Sequence, residues 1–170
     1  MRKFFAGVIA GLTLSALTGL ATFWFWPWHV NATAHPSALE GQLMRHTFDR
    51  AVARQAPRLS NPLKATDEEL MAGMKMYSDD CSGCHGGATK SSIWGTMAFY
   101  PRVPQFGVEP PRRPDWQIFW IVKNGVRYTG MGAWGNLATD DEIWRVSLFL
   151  SRIESLPPTV AAEWKNPHGR

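Results

Sequence analysis

The pentapeptide Cys81-Ser82-Gly83-Cys84-His85 constrains this chain more than any other feature, because it holds the only two cysteines in 170 residues. Two thiols exclude a multi-disulfide scaffold, and they exclude a four-thiolate zinc or iron–sulfur site within one chain. On a helical turn, residues three and four apart share a face, so Cys81, Cys84 and His85 can all be presented to one flat partner. A redox dithiol would call for a thioredoxin-like βαβ context, and no such strand pattern surrounds the motif. A zinc site would need a second ligand pair at suitable spacing, which is lacking. A structural disulfide gives His85 no role. Covalent attachment of a c-type haem uses all three residues: the thiols add to two vinyl groups on one haem edge, and His85 reaches the iron.

A second ligand is offered downstream. The segment Asn124-Gly125-Val126-Arg127-Tyr128-Thr129-Gly130-Met131-Gly132-Ala133-Trp134-Gly135 is glycine-rich, so its backbone can approach a flat ligand closely. Met131 within it supplies a soft thioether. Met44 precedes the motif, and Met71, Met74 and Met76 lie on the helix leading into it, where packing is the ordinary role of methionine. Met97 is the one rival. With His85 and Met131 both on the iron, no coordination position stays open, and the chemistry left is outer-sphere transfer of single electrons. A thioether ligand also favours Fe(II) and raises the potential relative to two nitrogen ligands.

The N-terminus reads as a membrane segment. Met1-Arg2-Lys3 precedes an apolar run from Phe4 to Trp26. At about 1.5 Å per residue this run spans roughly 34 Å as a helix, enough for a bilayer core. The basic residues keep the N-terminus in the cytoplasm, Trp24, Trp26 and Trp28 suit the far interface, and Pro27 suits a helix stop. A cleaved secretory signal competes, because Ala32-Thr33-Ala34 resembles a small-residue cleavage site. The apolar run exceeds a signal's usual length, so a retained anchor is favoured. Both readings export everything after residue 30.

Residues 1–30 are thus an anchor or uncleaved signal, and 31–65 a linker. Within the linker, Pro36 to Ala56 has helical periodicity, with Leu39, Leu43, Phe48 and Val52 at spacings of four, five and four and Arg45, His46, Arg50 and Arg54 taking other positions. Packing on the following domain is the plain role for this helix, and lying on anionic headgroups is the bolder one. Residues 66–156 form the haem domain and 157–170 a C-terminal tail. The net charge of +4 and the sequence pI near 9.3 raise the question of nucleic acid. The charges answer it: residues 1–28 carry +2, 29–65 carry +3 and 66–170 carry −1, so no basic stripe belongs to the haem domain.

On the motif at 81–85 and the loop Thr129-Gly130-Met131-Gly132-Ala133-Trp134, the chain resembles bacterial class I monohaem c-type cytochromes. Within them it is similar to membrane-anchored members with a Thr-Gly-Met-Pro-Ala-Trp ligand loop. The resemblance covers about residues 60–165. Gly132 departs from the usual proline, which loosens the loop and removes a φ restraint. The resemblance implies a mostly α cytochrome c fold, with three to five helices around one covalent haem, after one N-terminal transmembrane helix. It also implies that the first and last helices of the domain cross at a glycine and an aromatic: Gly73 and Tyr77 against Trp144, Leu148 or Phe149. A backbone carbonyl is implied to accept the Nδ1 hydrogen of His85, with Pro104 as the choice.

The residues agree with a helical domain. Thr66-Asp67-Glu68-Glu69 and Thr139-Asp140-Asp141-Glu142 both read as capping boxes, opening helices through about Asp79 and Ile153. Pro114 to Val122 reads as another helix, stopped by Gly125, with Trp116, Phe119, Trp120 and Ile121 placed to wall the haem. Gly86 to Arg113 should be mostly irregular. Tyr100, Arg102, Arg113, Tyr128 and Trp134 are candidates for bonding the haem propionates.

The resulting expectation is an electron carrier rather than an enzyme. It is a single-pass protein of the inner membrane, held through residues 4–26, with its haem domain in the periplasm. Its partners would be a quinol-oxidising complex or dehydrogenase on one side and a terminal oxidase or reductase on the other. A fixed haem subunit of a larger oxidoreductase uses the same residues. A peroxidatic or gas-binding haem protein would require Met131 to leave the iron.

Overall fold

A computed structural model describes residues 1–26 and 30–166. Pro27 and Trp28, the expected helix stop and part of the expected aromatic belt, lie outside the described residues. The described residues form helices and loops with no strand. They divide into two compact units, Met1–Asn31 and Ala32–Arg170.

The first unit contains the helix α1 (Arg2–Phe25), and every residue of that helix is exposed. Its length and apolar composition suffice to cross a membrane. The Thr22 hydroxyl donates to the Thr18 carbonyl at 2.8 Å, so this polar group is satisfied within the helix.

The second unit is built on three helices, α3 (Asp67–Met76), α6 (Asp115–Asn124) and α7 (Asp140–Ser151). Helix α7 carries the densest core face: Ile143, Trp144, Val146, Leu148, Phe149 and Leu150 are all buried. Its N-terminus is a complete capping box, with Thr139 accepting from the Glu142 amide and Glu142 accepting from the Thr139 amide at 2.8 Å. Helix α3 has only half of its expected box. Thr66 accepts from the Glu69 amide at 3.3 Å, but the Glu69 carboxylate instead takes the Arg145 Nε hydrogen at 2.6 Å, tying α3 to α7. Where these helices cross, Gly73 presses on the backbone of Arg145 and on Phe149. Phe119 of α6 stacks on Trp144 at 4.0 Å, which commits it to the helix interface.

Three further elements complete this unit. Helix α2 (Ala38–Gln55) is capped by Ser37 and buries Val52, with Ala56 buried just past its end. Helix α5 (Ile93–Met97) is a short turn inside the stretch expected to be irregular. Helix α8 (Pro158–Lys165) lies where the sequence pointed to a tail. Val160 and Trp164 of α8 are buried, and the indole meets Tyr77 and Phe149 edge-on at 5.4 and 5.2 Å. Eight residues with two buried positions give too little periodicity to be read as a helix from sequence.

Candidate haem-attachment site

Helix α3 does not run on as a regular helix into the cysteines. Tyr77–Cys81 form a π-helical turn, and α4 (Ser82–His85) follows directly. A π turn inserts one residue into the helical phase, and such turns gather at functional sites. Tyr77 anchors this one. Its ring is fully buried, and its hydroxyl donates to the Gly86 carbonyl at 2.7 Å and approaches that of His85 at 3.2 Å. Burial pushes its pKa well above that of an ordinary tyrosine, so it stays a neutral donor.

Gly86 ends α4 at φ +73, in the left-handed region that only glycine enters freely. The chain then doubles back over the cysteine turn. A Cβ on Gly95 would lie 1.9 Å from the Cys84 carbonyl oxygen, so α5 can approach only because that residue is glycine. Gln105 holds the layers together: its Nε2 donates to the Cys84 and Val103 carbonyls at 3.0 and 2.9 Å, and its Oε1 accepts from the Ser92 amide at 2.7 Å. The Ser92 hydroxyl donates to the Gly83 carbonyl at 2.5 Å.

His85 is oriented from two directions. Its Nδ1 lies 2.9 Å from the Pro104 carbonyl oxygen. A carbonyl can only accept, so Nδ1 carries the hydrogen and Nε2 keeps its lone pair for a metal. Its ring also stacks on Phe106 at 4.5 Å and 7°. Burial lowers the imidazole pKa from its ordinary value, against the opposing pull of the Pro104 carbonyl, and so favours the neutral, ligating form. The Cys81 thiol is pushed up to about 12, chiefly by burial and then by the nearby Asp80 and Cys84. Both cysteines are free thiols and half-buried.

The methionine loop is held by its own hydrogen bonds. The Val126 amide donates to the Met131 carbonyl at 2.9 Å, and the Thr129 hydroxyl bridges the Val126 carbonyl at 2.8 Å and the Met131 amide at 3.0 Å. Gly125, at φ +68, lets the loop segment carrying Met131 pass with its carbonyl oxygen 2.8 Å from the Gly125 Cβ position. The Trp134 and Gly135 amides donate to the Val122 and Lys123 carbonyls, so the loop caps the end of α6.

The sequence candidates fall into two groups. Cys81, Trp116, Met131 and Trp134 are half-buried and all pack against one hydrophobic core, as does Phe106 beneath His85. Trp120 is half-buried on α6, and its backbone carbonyl accepts from Asn124 Nδ2 at 2.9 Å. Tyr100, Arg102 and Arg113 instead face the segment before α3. The Tyr100 hydroxyl donates to Glu40, and Arg113 pairs with Asp49. Arg102 donates to the carbonyls of Met97, Phe99, Ala32, Thr33 and Ala34. Tyr128 stands 90% exposed at φ +62, beside the Arg127 guanidinium. Gln105, Phe106 and the hydroxyl of Tyr77 were not legible as site residues, because each acts through a contact distant in sequence.

These residues fit a covalently bound haem by their donor set. Two free thiols and one imidazole with a free Nε2 share a turn, and a thioether shares the apolar core that Cys81 borders. Residues 68–150 match the family model described as cytochrome c oxidase, cbb3-type, subunit III. A chain of the Kuenenia stuttgartiensis reducing HAO-like protein complex is 19% identical, with a TM-score of 0.44 over 55% of this chain and 48% of that one. This chain therefore spans less than half the length of that relative. A comparison with the curated proteins finds no match. The family match on a wholly helical domain supports a c-type cytochrome, a protein that binds haem c and transfers electrons.

Proposed function

We propose that this protein is a membrane-anchored c-type cytochrome that carries single electrons through one haem. Cys81 and Cys84 would attach the haem, and His85 and Met131 would bind its iron. The observation that carries this reading is the hydrogen bond from His85 Nδ1 to the Pro104 carbonyl, which fixes the tautomer with Nε2 free. When bound, the haem iron supplies a one-electron couple. The chain's part is to hold both ligands in place in either oxidation state. Phe106 keeps the imidazole plane, and the Thr129 bridge keeps the Met131 backbone in position. Trp116 and Trp134 keep the surroundings apolar, which disfavours the more highly charged state of the iron.

In this reading α1 is a retained single anchor in the inner membrane, and the haem domain faces the periplasm between quinol-oxidising or dehydrogenase donors and oxidase or reductase acceptors. The family match, described as an oxidase subunit, favours a second arrangement in which the chain is a fixed haem subunit of a larger membrane oxidoreductase. Two measurements test the proposal. Haem staining after denaturing electrophoresis should persist in the wild type and vanish in Cys81→Ser/Cys84→Ser. Purification in mild detergent should yield the chain alone for a carrier and a larger complex for a subunit.

A further inference from the structure

Helix α2 has two unlike sides, with Arg45 a cation on the side of Val52. On the inner side Val52 and Ala56 are buried, and Phe48 lies 5.2 Å beneath the Arg113 guanidinium. Both acidic residues of the helix are taken up by the haem domain, Glu40 by Tyr100 and Asp49 by Arg113. On the outer side Leu39, Leu43, His46, Arg50 and Arg54 follow one another at spacings of four, three, four and four, a single row of a helix. Leu39 is 75% and Leu43 60% exposed, and the rest of the row is exposed too. The row contains no acidic residue. It is apolar at its N-terminal end and cationic at the other.

The chain length before α2 bears on what can cover this row. Only residues 26–31 separate the end of α1 from Ala32. Ala32, Thr33 and Ala34 are fastened to the haem domain by Arg102, at 2.7, 3.2 and 3.4 Å. Fully stretched, the chain from Phe25 to Ala32 reaches at most roughly 25 Å. With α1 in a bilayer, the start of α2 is confined near the surface of that same bilayer, at a high effective concentration of lipid.

We propose that the outer row of α2 rests on the anionic headgroup surface of the membrane that holds α1. Leu39 and Leu43 enter the interface, and Arg50 and Arg54 meet lipid phosphates. This rests on the reading of α1 as a retained anchor. A row that joined cations to polar residues would suit an acidic protein equally; two exposed leucines beside the cations, on a short tether, favour lipid. The consequence is a haem domain held at fixed height and orientation, so that its electron partner must present its own site at the membrane surface.

The test uses the full-length haem-loaded protein in nanodiscs of phosphatidylcholine, with and without phosphatidylglycerol. A spin label is placed at Leu43→Cys, or at Ser155→Cys as a solvent-facing reference. Collisions with a water-soluble nickel chelate and with oxygen are then read by electron paramagnetic resonance. The expected result is that the Leu43 label is shielded from the chelate and exposed to oxygen, more so with phosphatidylglycerol. Arg50→Gln and Arg54→Gln should each weaken that shielding by roughly fivefold. A Leu43 label as wet as the Ser155 label in both lipids would overturn the proposal. So would shielding indifferent to lipid charge, or shielding that appears only when a native membrane extract is added. Failure of the chain to stay with the discs at all would overturn the anchor reading, and the proposal with it.

Discussion

A Cβ built on Gly73 would lie 2.1 Å from the carbonyl oxygen of Arg145. The obstacle is backbone, so it cannot swing aside, and the crossing of α3 and α7 depends on a hydrogen at residue 73. Gly73→Ala should cost at least about 2 kcal/mol, at the upper part of the range for overpacking. Gly83→Ala, which meets nothing within 4 Å, should cost less than about 1 kcal/mol. Urea unfolding of the two variants side by side measures the difference.

The capping box of α7 carries a pH dependence of known sign. Hydrogen bonds from the Thr139 amide and hydroxyl hold Glu142 below the usual carboxylate range. A depressed folded-state pKa contributes stability that is fully present above the unfolded value of about 4.3 and is lost as pH falls through the folded value. Glu142→Gln should therefore lower the urea midpoint at pH 7, and its difference from the wild type should shrink towards pH 3. A difference that stays constant over that range would show that Glu142 does not titrate through the cap.

Two glycines of the methionine loop should behave oppositely. A Cβ on Gly132 meets nothing within 4 Å, and its φ is not in the left-handed region. Gly132→Ala should leave the loop in place. Gly125 sits at φ +68, with Ala133 N and Gly132 C each 2.7 Å from its Cβ position. Gly125→Ala should cost about 1–3 kcal/mol and displace Met131. Absorption spectra of the oxidised proteins distinguish the two, with the thioether-to-iron charge-transfer band retained in the first and weakened in the second.

Arg102 spends its guanidinium on five backbone carbonyls, three of them in residues 32–34. Arg102→Ala should release that segment and open it to limited proteolysis near residue 34, with a stability loss of about 2 kcal/mol. Arg102→Lys should restore little of it, because an ammonium cannot present a planar fork. Mass spectrometry of the cleavage products checks the site.

Much of this could be read from the chain because it is local. The Thr139 box, the Gly125 stop and the cysteine turn each declare themselves within a few residues. What escaped reading is long-range. Glu69 looks like half of a capping box until Arg145, on another helix, takes its carboxylate. Helix α8 has two buried positions, and only the pocket formed by Tyr77 and Phe149 makes them a core. Tyr100 and Arg102 read as propionate candidates, yet the structure turns both towards residues 32–40, a segment whose contacts have no local signature. The π turn at Tyr77–Cys81 is equally silent, since its cause is a buried ring and two carbonyls eight and nine residues on.

The central claim is that His85 and Met131 together hold one iron. The most direct measurement is the absorption spectrum of the oxidised, haem-loaded protein in the red region, where thioether-bound ferric haem shows a charge-transfer band, taken for the wild type, Met131→Ala and Met97→Ala. The band should be present in the wild type and in Met97→Ala, and absent in Met131→Ala, whose reduced form should bind carbon monoxide rapidly. A wild type without the band, or a band that survives in Met131→Ala and disappears in Met97→Ala, would contradict the account.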